Sequence, residues 1–210
     1  MKHLAVACLA LFLSACAADE THHGAPAPAA SQAAEAPASF SPWPRIRTAA
    51  DASPGAVVSQ VIGADSWIRI AYHRPGVKGR DVWADEGRFG PIVPRNGDPS
   101  PWRAGANEPT TLELSQDLLL EGQPLAAGKY VLMMIPRDTH WTLVVQQFEG
   151  NGGAGRFDPD LTVITANVTP KSAPFREWLT YGFDGDLSDA TTAWLHWAEL
   201  KVPFRFTLPN

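Results

Sequence analysis

The chain has 210 residues, 45% of them hydrophobic and 19% charged, with a formal net charge of −5 at pH 7. That length holds one ordinary domain with a core of its own, and the mildly acidic balance argues against general nucleic-acid binding, which calls for a basic face. Its two cysteines, Cys8 and Cys16, both lie at the N-terminus, which leaves everything beyond them without a disulfide, a thiolate metal site or a cysteine nucleophile.

The first element is an export segment. Met1-Lys2-His3 gives a short cationic start, and residues 4–13 form an unbroken run of apolar or small side chains. Ten residues are too few to span a bilayer, which takes about 20 as helix, so the pattern is that of a secretory signal. It closes on Leu13-Ser14-Ala15-Cys16, which resembles the bacterial lipobox. That resemblance implies a signal peptide over residues 1–15 and an acylated Cys16 as the new N-terminus. Several acyl chains, at roughly 0.8 kcal/mol per buried methylene, anchor a protein stably to a membrane. Ala17 stands where an aspartate would be the retention signal, so the expected location is the cell envelope, on the outer membrane facing the periplasm. Loss of Lys2 takes the mature net charge to −5 − 1 = −6. Residues 16–42 are dominated by alanine, proline, serine and glutamine. They bury too little to offset the entropy of ordering and read as a disordered tether, in which His22-His23 is a solvated pair and not a metal site.

Residues 43–210 read as a single all-β domain, because apolar and polar residues alternate and helical periodicity does not recur. Strands are expected over 56–62 and 66–73, separated by Gly63-Ala64-Asp65, with Ile68, Ile70 and Tyr72 on one face and Trp67, Arg69, Ala71 and His73 on the other. After a long connection, strands follow over 110–116, with Leu112 and Leu114 inward, and over 118–121, 129–135 and 141–148. The last third offers 161–168, 177–183, 191–200 and 202–208. About nine or ten short strands make an antiparallel β-sandwich or a partly open barrel. The stretch 189–200 has some helical character, but Trp194, Trp197 and its β-branched residues favour strand. The tryptophans read as core and rim packing.

Candidate chemistry concentrates in the connection 74–109, since structureless loops of that length inside compact domains are usually functional or disordered. Between Arg69 and Glu108 lie seven basic residues (Arg69, Arg74, Lys78, Arg80, Arg88, Arg95, Arg103) against five acidic ones, in a chain that is acidic overall. Arginine forks pair with carboxylates and phosphates, so the candidate ligand-binding set is His73, Arg74, Lys78, Arg80, Trp102, Arg103, Asn107 and Glu108, with an anionic ligand. Two rivals stand beside it. Arg103 with Glu108, or Arg80 with Asp85, are also placed to pair and brace the loop, with Asn107 capping a turn. Alternatively His73 and Glu108 serve as an acid and base, with Arg103 holding an anion, as in a hydrolase or isomerase.

Other motifs are weak. His73, His140 and His196 lack metal-ligand spacing. The glycine run at 150–155 has no Lys-Ser or Lys-Thr ending and joins two strands, so it reads as a hairpin. Residues 184–189 open like a calcium loop, but Asp189 stands in place of the glycine and Leu195 in place of the glutamate, so an aspartate-rich turn is expected. Asn167-Val168-Thr169 is an accidental glycosylation match, and no Gly-x-Ser-x-Gly elbow occurs. No metal or cofactor is called for.

Three blocks carry a resemblance: Arg74-Pro75-Gly76-Val77-Lys78-Gly79-Arg80, Trp102-Arg103-Ala104-Gly105-Ala106-Asn107-Glu108, and Gly122-Gln123-Pro124-Leu125-Ala126-Ala127-Gly128-Lys129-Tyr130. With Phe157-Asp158-Pro159, Glu177-Trp178-Leu179-Thr180 and Trp197 ahead of Val202-Pro203-Phe204, they resemble domain-of-unknown-function family 2911 over about residues 53–206. The resemblance implies an exported, often lipid-anchored protein and a shared fold, and carries no activity. The chain departs from the family pattern between Trp83 and Trp102. Three functional expectations follow: a membrane-anchored envelope module binding an anionic small molecule, glycan, peptide or envelope protein, with no nucleic-acid partner; the hydrolase or isomerase; and a purely structural envelope component.

Overall fold

The computed structural model of the chain describes residues 53–83, 101–150, 157–185 and 188–209. The expected signal peptide, the expected acylation site Cys16, the expected tether, Phe89 and the departure between Trp83 and Trp102 fall outside those residues, as do most of the glycine run and Asp186-Leu187.

Ten strands form two antiparallel sheets. In chain order they are β1 (Gly55–Ile62), β2 (Ser66–His73), β3 (Thr111–Leu114), β4 (Leu118–Leu120), β5 (Gln123–Leu125), β6 (Gly128–Ile135), β7 (Trp141–Gln147), β8 (Thr162–Val168), β9 (Lys171–Asp184) and β10 (Ala190–Thr207). The larger sheet runs β1-β2-β3-β6-β7-β8 and the smaller β5-β4-β10-β9. They make a sandwich that does not close into a barrel, and no α-helix occurs among the described residues.

Alternation places the core. Ile68, Ile70, Tyr72, Leu112, Leu114, Leu132, Leu143 and Val145 are buried on the inner face of the larger sheet, against Leu120, Leu179, Leu195, Phe204 and Phe206 of the smaller one. Each such side chain contributes about 1.5–3 kcal/mol by leaving water. The outer face of the larger sheet carries a charged row, where register sets Arg69 opposite Glu113 and Glu113 opposite Lys129. Arg69 lies 3.6 Å from the Glu113 carboxylate. Burial lowers the pKa of the Lys129 ammonium, although Glu113 opposes that shift, and Lys129 sits 4.3 Å over the Phe148 ring.

Three strands differ from the sequence reading. β9 begins at Lys171 rather than at 177, with Pro174 inside it; it is an edge strand, and an edge tolerates a residue that cannot donate to a ladder. β10 is one strand of 18 residues where two were expected. Its pairing with β9 ends at Lys201 and its pairing with β4 is at Phe206 and Thr207, so Pro203 falls between the two ladders. The short β5 was not anticipated, because three residues show no alternation.

The register of β9 and β10 shifts on either side of Ala198, which has φ 50°. His196 supports that irregularity. Its Nδ1 accepts from Arg176 Nε at 3.1 Å and its Nε2 lies 2.9 Å from the Pro174 carbonyl, an arrangement that fits the neutral ring with its proton on Nε2.

Candidate functional site

Two loops meet at one end of the sandwich. The first leaves β2 after His73 and crosses to the smaller sheet, where Pro75–Val77 lies along β9. Val77 N donates to the Glu177 carbonyl at 2.8 Å and Leu179 N to the Pro75 carbonyl at 3.0 Å, with Gly76 opposite Trp178. A Cβ on Gly76 would stand 3.0 Å from Glu177 Oε1 and 3.2 Å from the Trp178 ring, so any larger residue there would press on both side chains. Arg74 fastens the crossing, its Nε donating to the Leu179 carbonyl at 3.1 Å and Nη2 to Thr180 Oγ1 at 3.3 Å. Beyond it, Lys78 (φ 51°) and Gly79 (φ 68°) turn the chain, and Lys78 N donates to Glu177 Oε1 at 2.8 Å. Arg80 folds back on its own loop, with Nε 2.9 Å from the Val77 carbonyl and Nη2 2.5 Å from that of Gly76.

The second loop begins at Trp102, which pairs with Met134 of β6 through two main-chain hydrogen bonds of 2.8 and 2.9 Å. Its indole Nε1 donates to the Gly105 carbonyl at 3.1 Å. The buried Ala104 carbonyl accepts from Thr110 Oγ1 at 3.1 Å and from the Tyr181 hydroxyl at 2.9 Å, and Tyr181 N donates to the Tyr72 hydroxyl at 3.1 Å. Burial pushes the Tyr181 hydroxyl well above the usual phenol pKa, which keeps it a donor. Gly105 is also constrained, since a Cβ there would lie 2.7 Å from Thr110 Oγ1.

Beneath the loops, Trp83, Trp102, Trp141 and Trp197 form an indole cluster. Their ring centroids lie 5.1–6.4 Å apart, mostly edge to face, and the Trp102 and Trp197 rings stack at 6.0 Å, 19° from parallel. This is an energetically favourable way to pack aromatic rings, and it ties both loops to β7 and β10.

Between the loops lies a recess of about 310 Å³. Trp102 and Trp197 line it from within, Pro75, Gly76, Lys78 and Arg80 from one loop, Gly105 and Ala106 from the other, and Ser53 at its side. Of the candidate residues read from sequence, the recess gathers Lys78, Arg80 and Trp102. Arg74 is engaged with Leu179 and Thr180 as above. Arg103 donates through Nη1 to the Asn107 carbonyl, while Asn107, at φ 55°, donates through Nδ2 to the Ser53 carbonyl at 3.2 Å. His73 is buried at the end of β2 and Glu108 is exposed. Among the described residues no ion pair joins Glu108 to His73 or to Arg103.

Sequence reasoning did not single out Gly105, Ala106, Ser53 or Trp197 as site residues, because β10 brings Trp197 beside Trp102 only once the sandwich closes. His140 is half-buried, its Nδ1 3.1 Å from Thr139 Oγ1. Asp184 holds Lys201 at 2.6 Å. Among the described residues, no group of three or more His, Cys, Asp or Glu side chains could hold a metal ion.

Comparison with known proteins places this architecture. The pattern of the family described as "protein of unknown function (DUF2911)" matches residues 53–206, which takes in both loops and all but the last residue of β10, and the chain belongs to that family. No curated protein and no solved structure matches the chain.

Proposed function

We propose that this member of the DUF2911 family is a lipid-anchored module of the bacterial envelope, held to the outer membrane through Cys16, whose β-sandwich binds a small anionic ligand in the recess between its two loops. The observation that carries the reading is the pairing of an aromatic interior, Trp102 and Trp197, with the cations Lys78 and Arg80 on one wall. Ligand sites combine apolar and aromatic walls with a few placed polar groups, and the volume is at the small end for such sites. An acidic glycan fits best, since a sugar ring offers apolar faces to indoles and its acid group offers charge to Lys78. Lys78 is exposed, and its ammonium has no ion-pair partner among the described residues.

A titration of the full chain with acidic oligosaccharides and cell-wall fragments, followed by melting temperature, tests this. A bound ligand raises the transition, and Lys78→Ala abolishes the rise. Growth with labelled palmitate tests the anchor, the label appearing on the wild type and not on Cys16→Ser.

A second reading, a purely structural envelope component, draws on a different observation: Arg74, Arg103, Asn107 and most of the Arg80 guanidinium are engaged inside the domain. It predicts no melting shift with any of these ligands. The hydrolase or isomerase reading draws less from the geometry, because the exposed Glu108 makes no ion pair with the buried His73.

A further inference from the structure

We infer that β1 joins two copies of this chain edge to edge, so that the two larger sheets run on as one. The inference rests on how the sandwich treats its four edges and is independent of the recess. A bare edge strand is a template for another chain, and proteins blunt such edges with proline, charge, bulges or covering segments.

Three of the four edges are blunted here. β5 has only three residues, one of them Pro124. β9 contains Pro174 and is covered at 177–179 by the loop carrying Gly76. On β8 the Thr165 carbonyl accepts from Gln123 Nε2 at 2.9 Å, and the ladder to β7 shifts register beside Gln146. Among the described residues β1 carries no proline, charge, bulge or covering segment, and its one such contact is local and from an exposed side chain, Gln60 Nε2 donating to the Val61 carbonyl at 2.9 Å. Its sequence, GAVVSQVI, has no charge and no proline, and its register with β2 runs unbroken from Gly55 opposite His73 to Ile62 opposite Ser66.

The hydrogen-bond phase of β1 is fixed by its neighbour. Arg74 N donates to the Pro54 carbonyl at 2.9 Å, so by antiparallel alternation Ala56, Val58, Gln60 and Ile62 exchange bonds with β2. Gly55, Val57, Ser59 and Val61 then point their N–H and C=O groups outward, and no main-chain group among the described residues takes them. Ser59 is exposed and Val61 is 49% exposed.

These outward residues select a second copy as the occupant. Val57-Ser59-Val61 reads the same in both directions, so a two-fold axis at Ser59 sets Ser59 against Ser59 of the second copy and Val57 against its Val61. The Val57–Val61 pairings on either side of the axis set β-branched side chains across the junction, a favourable cross-strand pair. A two-fold contact opposes every group to its equal, and a strand without charge meets no repulsion there.

The test is the molecular mass of the full chain in mild detergent, by sedimentation equilibrium, up to the limit of solubility. The expected result is a concentration-dependent doubling of mass in the wild type that is lost in Ser59→Pro and in Val61→Lys, with melting of the dilute protein unchanged. Ser59→Pro removes an outward N–H and leaves the β1–β2 ladder alone, and if it fails to fold, Val61→Lys decides. A wild type that stays a single chain at every concentration overturns the inference, as does a doubled mass that survives Val61→Lys.

Discussion

The two loops around the recess are held by opposite means. The loop at 75–80 lies on a sheet edge, fastened by main-chain pairs to β9 and by Arg74 from the side. The loop at 103–109 is held from below, its Ala104 carbonyl fixed by two hydroxyls that reach it through the core. An edge-fastened loop can vary its outward side chains without disturbing its path, whereas a loop held by buried hydroxyls is continuous with the interior. On the proposed ligand-binding reading, discrimination falls to the first loop, at Lys78, and the shape of the recess to the second.

Substitutions sharpen that contrast, and the largest effect is expected at Gly105→Val. Its side chain would collide with Thr110 Oγ1 and press on the His73 carbonyl, an overpacking that costs about 2–3 kcal/mol, read as a lower denaturant midpoint. Next comes Arg74→Ala, which frees the crossing of the first loop at a cost of about 1–2 kcal/mol for two charge-assisted bonds. Hydrogen exchange at Val77 and Leu179 should quicken while Leu132, whose N–H donates to the Thr110 carbonyl, keeps its protection. Tyr181→Phe does the reverse at about 1 kcal/mol, since the Ala104 carbonyl keeps its Thr110 bond; were Val77 to respond equally, the two loops would not be separately held.

Acid should act on the first loop's anchorage before the second. Burial lowers the pKa of His196 below its ordinary 6.5, reinforced by the charges of Arg176 and Lys201 and opposed by the bond to Pro174. The folded state therefore binds fewer protons than the unfolded chain near that pH. The stability this contributes is present above the unfolded value and is lost as pH falls through the folded one. Protonation at Nδ1 also displaces the Arg176 donor, just before the 177–179 segment that carries the first loop. Denaturant midpoints measured from neutral to mild acid should fall in the wild type and fall less in His196→Gln. The smallest effect on stability is expected from Lys78→Ala, within about 0.5 kcal/mol for an exposed side chain, although ligand response is lost.

Most of the sandwich was legible because its physics is local. In β2 the placing of Ile68, Ile70 and Tyr72 on one face, with Arg69 and His73 among the residues of the other, predicts both the strand and its inner face, and Gly63-Ala64-Asp65 marks the turn before it. Trp194, Trp197 and the β-branched residues around them predict strand, and residues 190–200 are strand. Legibility failed where meaning depended on a distant partner. Pro174 and Pro203 look like strand breaks until β9 is known to be an edge and β10 to change partners between Lys201 and Phe206. The candidate site is half legible for the same reason. Lys78, Arg80 and Trp102 announced themselves by type and local charge, but nothing near Arg74 or Arg103 in sequence says that main-chain carbonyls occupy their forks, and Trp197 joins Trp102 only through the closed fold.

The stacked pair of Trp102 and Trp197 has an optical consequence. Two indoles so close and so nearly parallel couple their electronic transitions, which gives a split band in near-ultraviolet circular dichroism and an emission sensitive to whatever polarises either ring. Since both rings line the recess, the domain carries its own label-free gauge of occupancy, and a titrant that enters must alter that signal before any melting curve is measured.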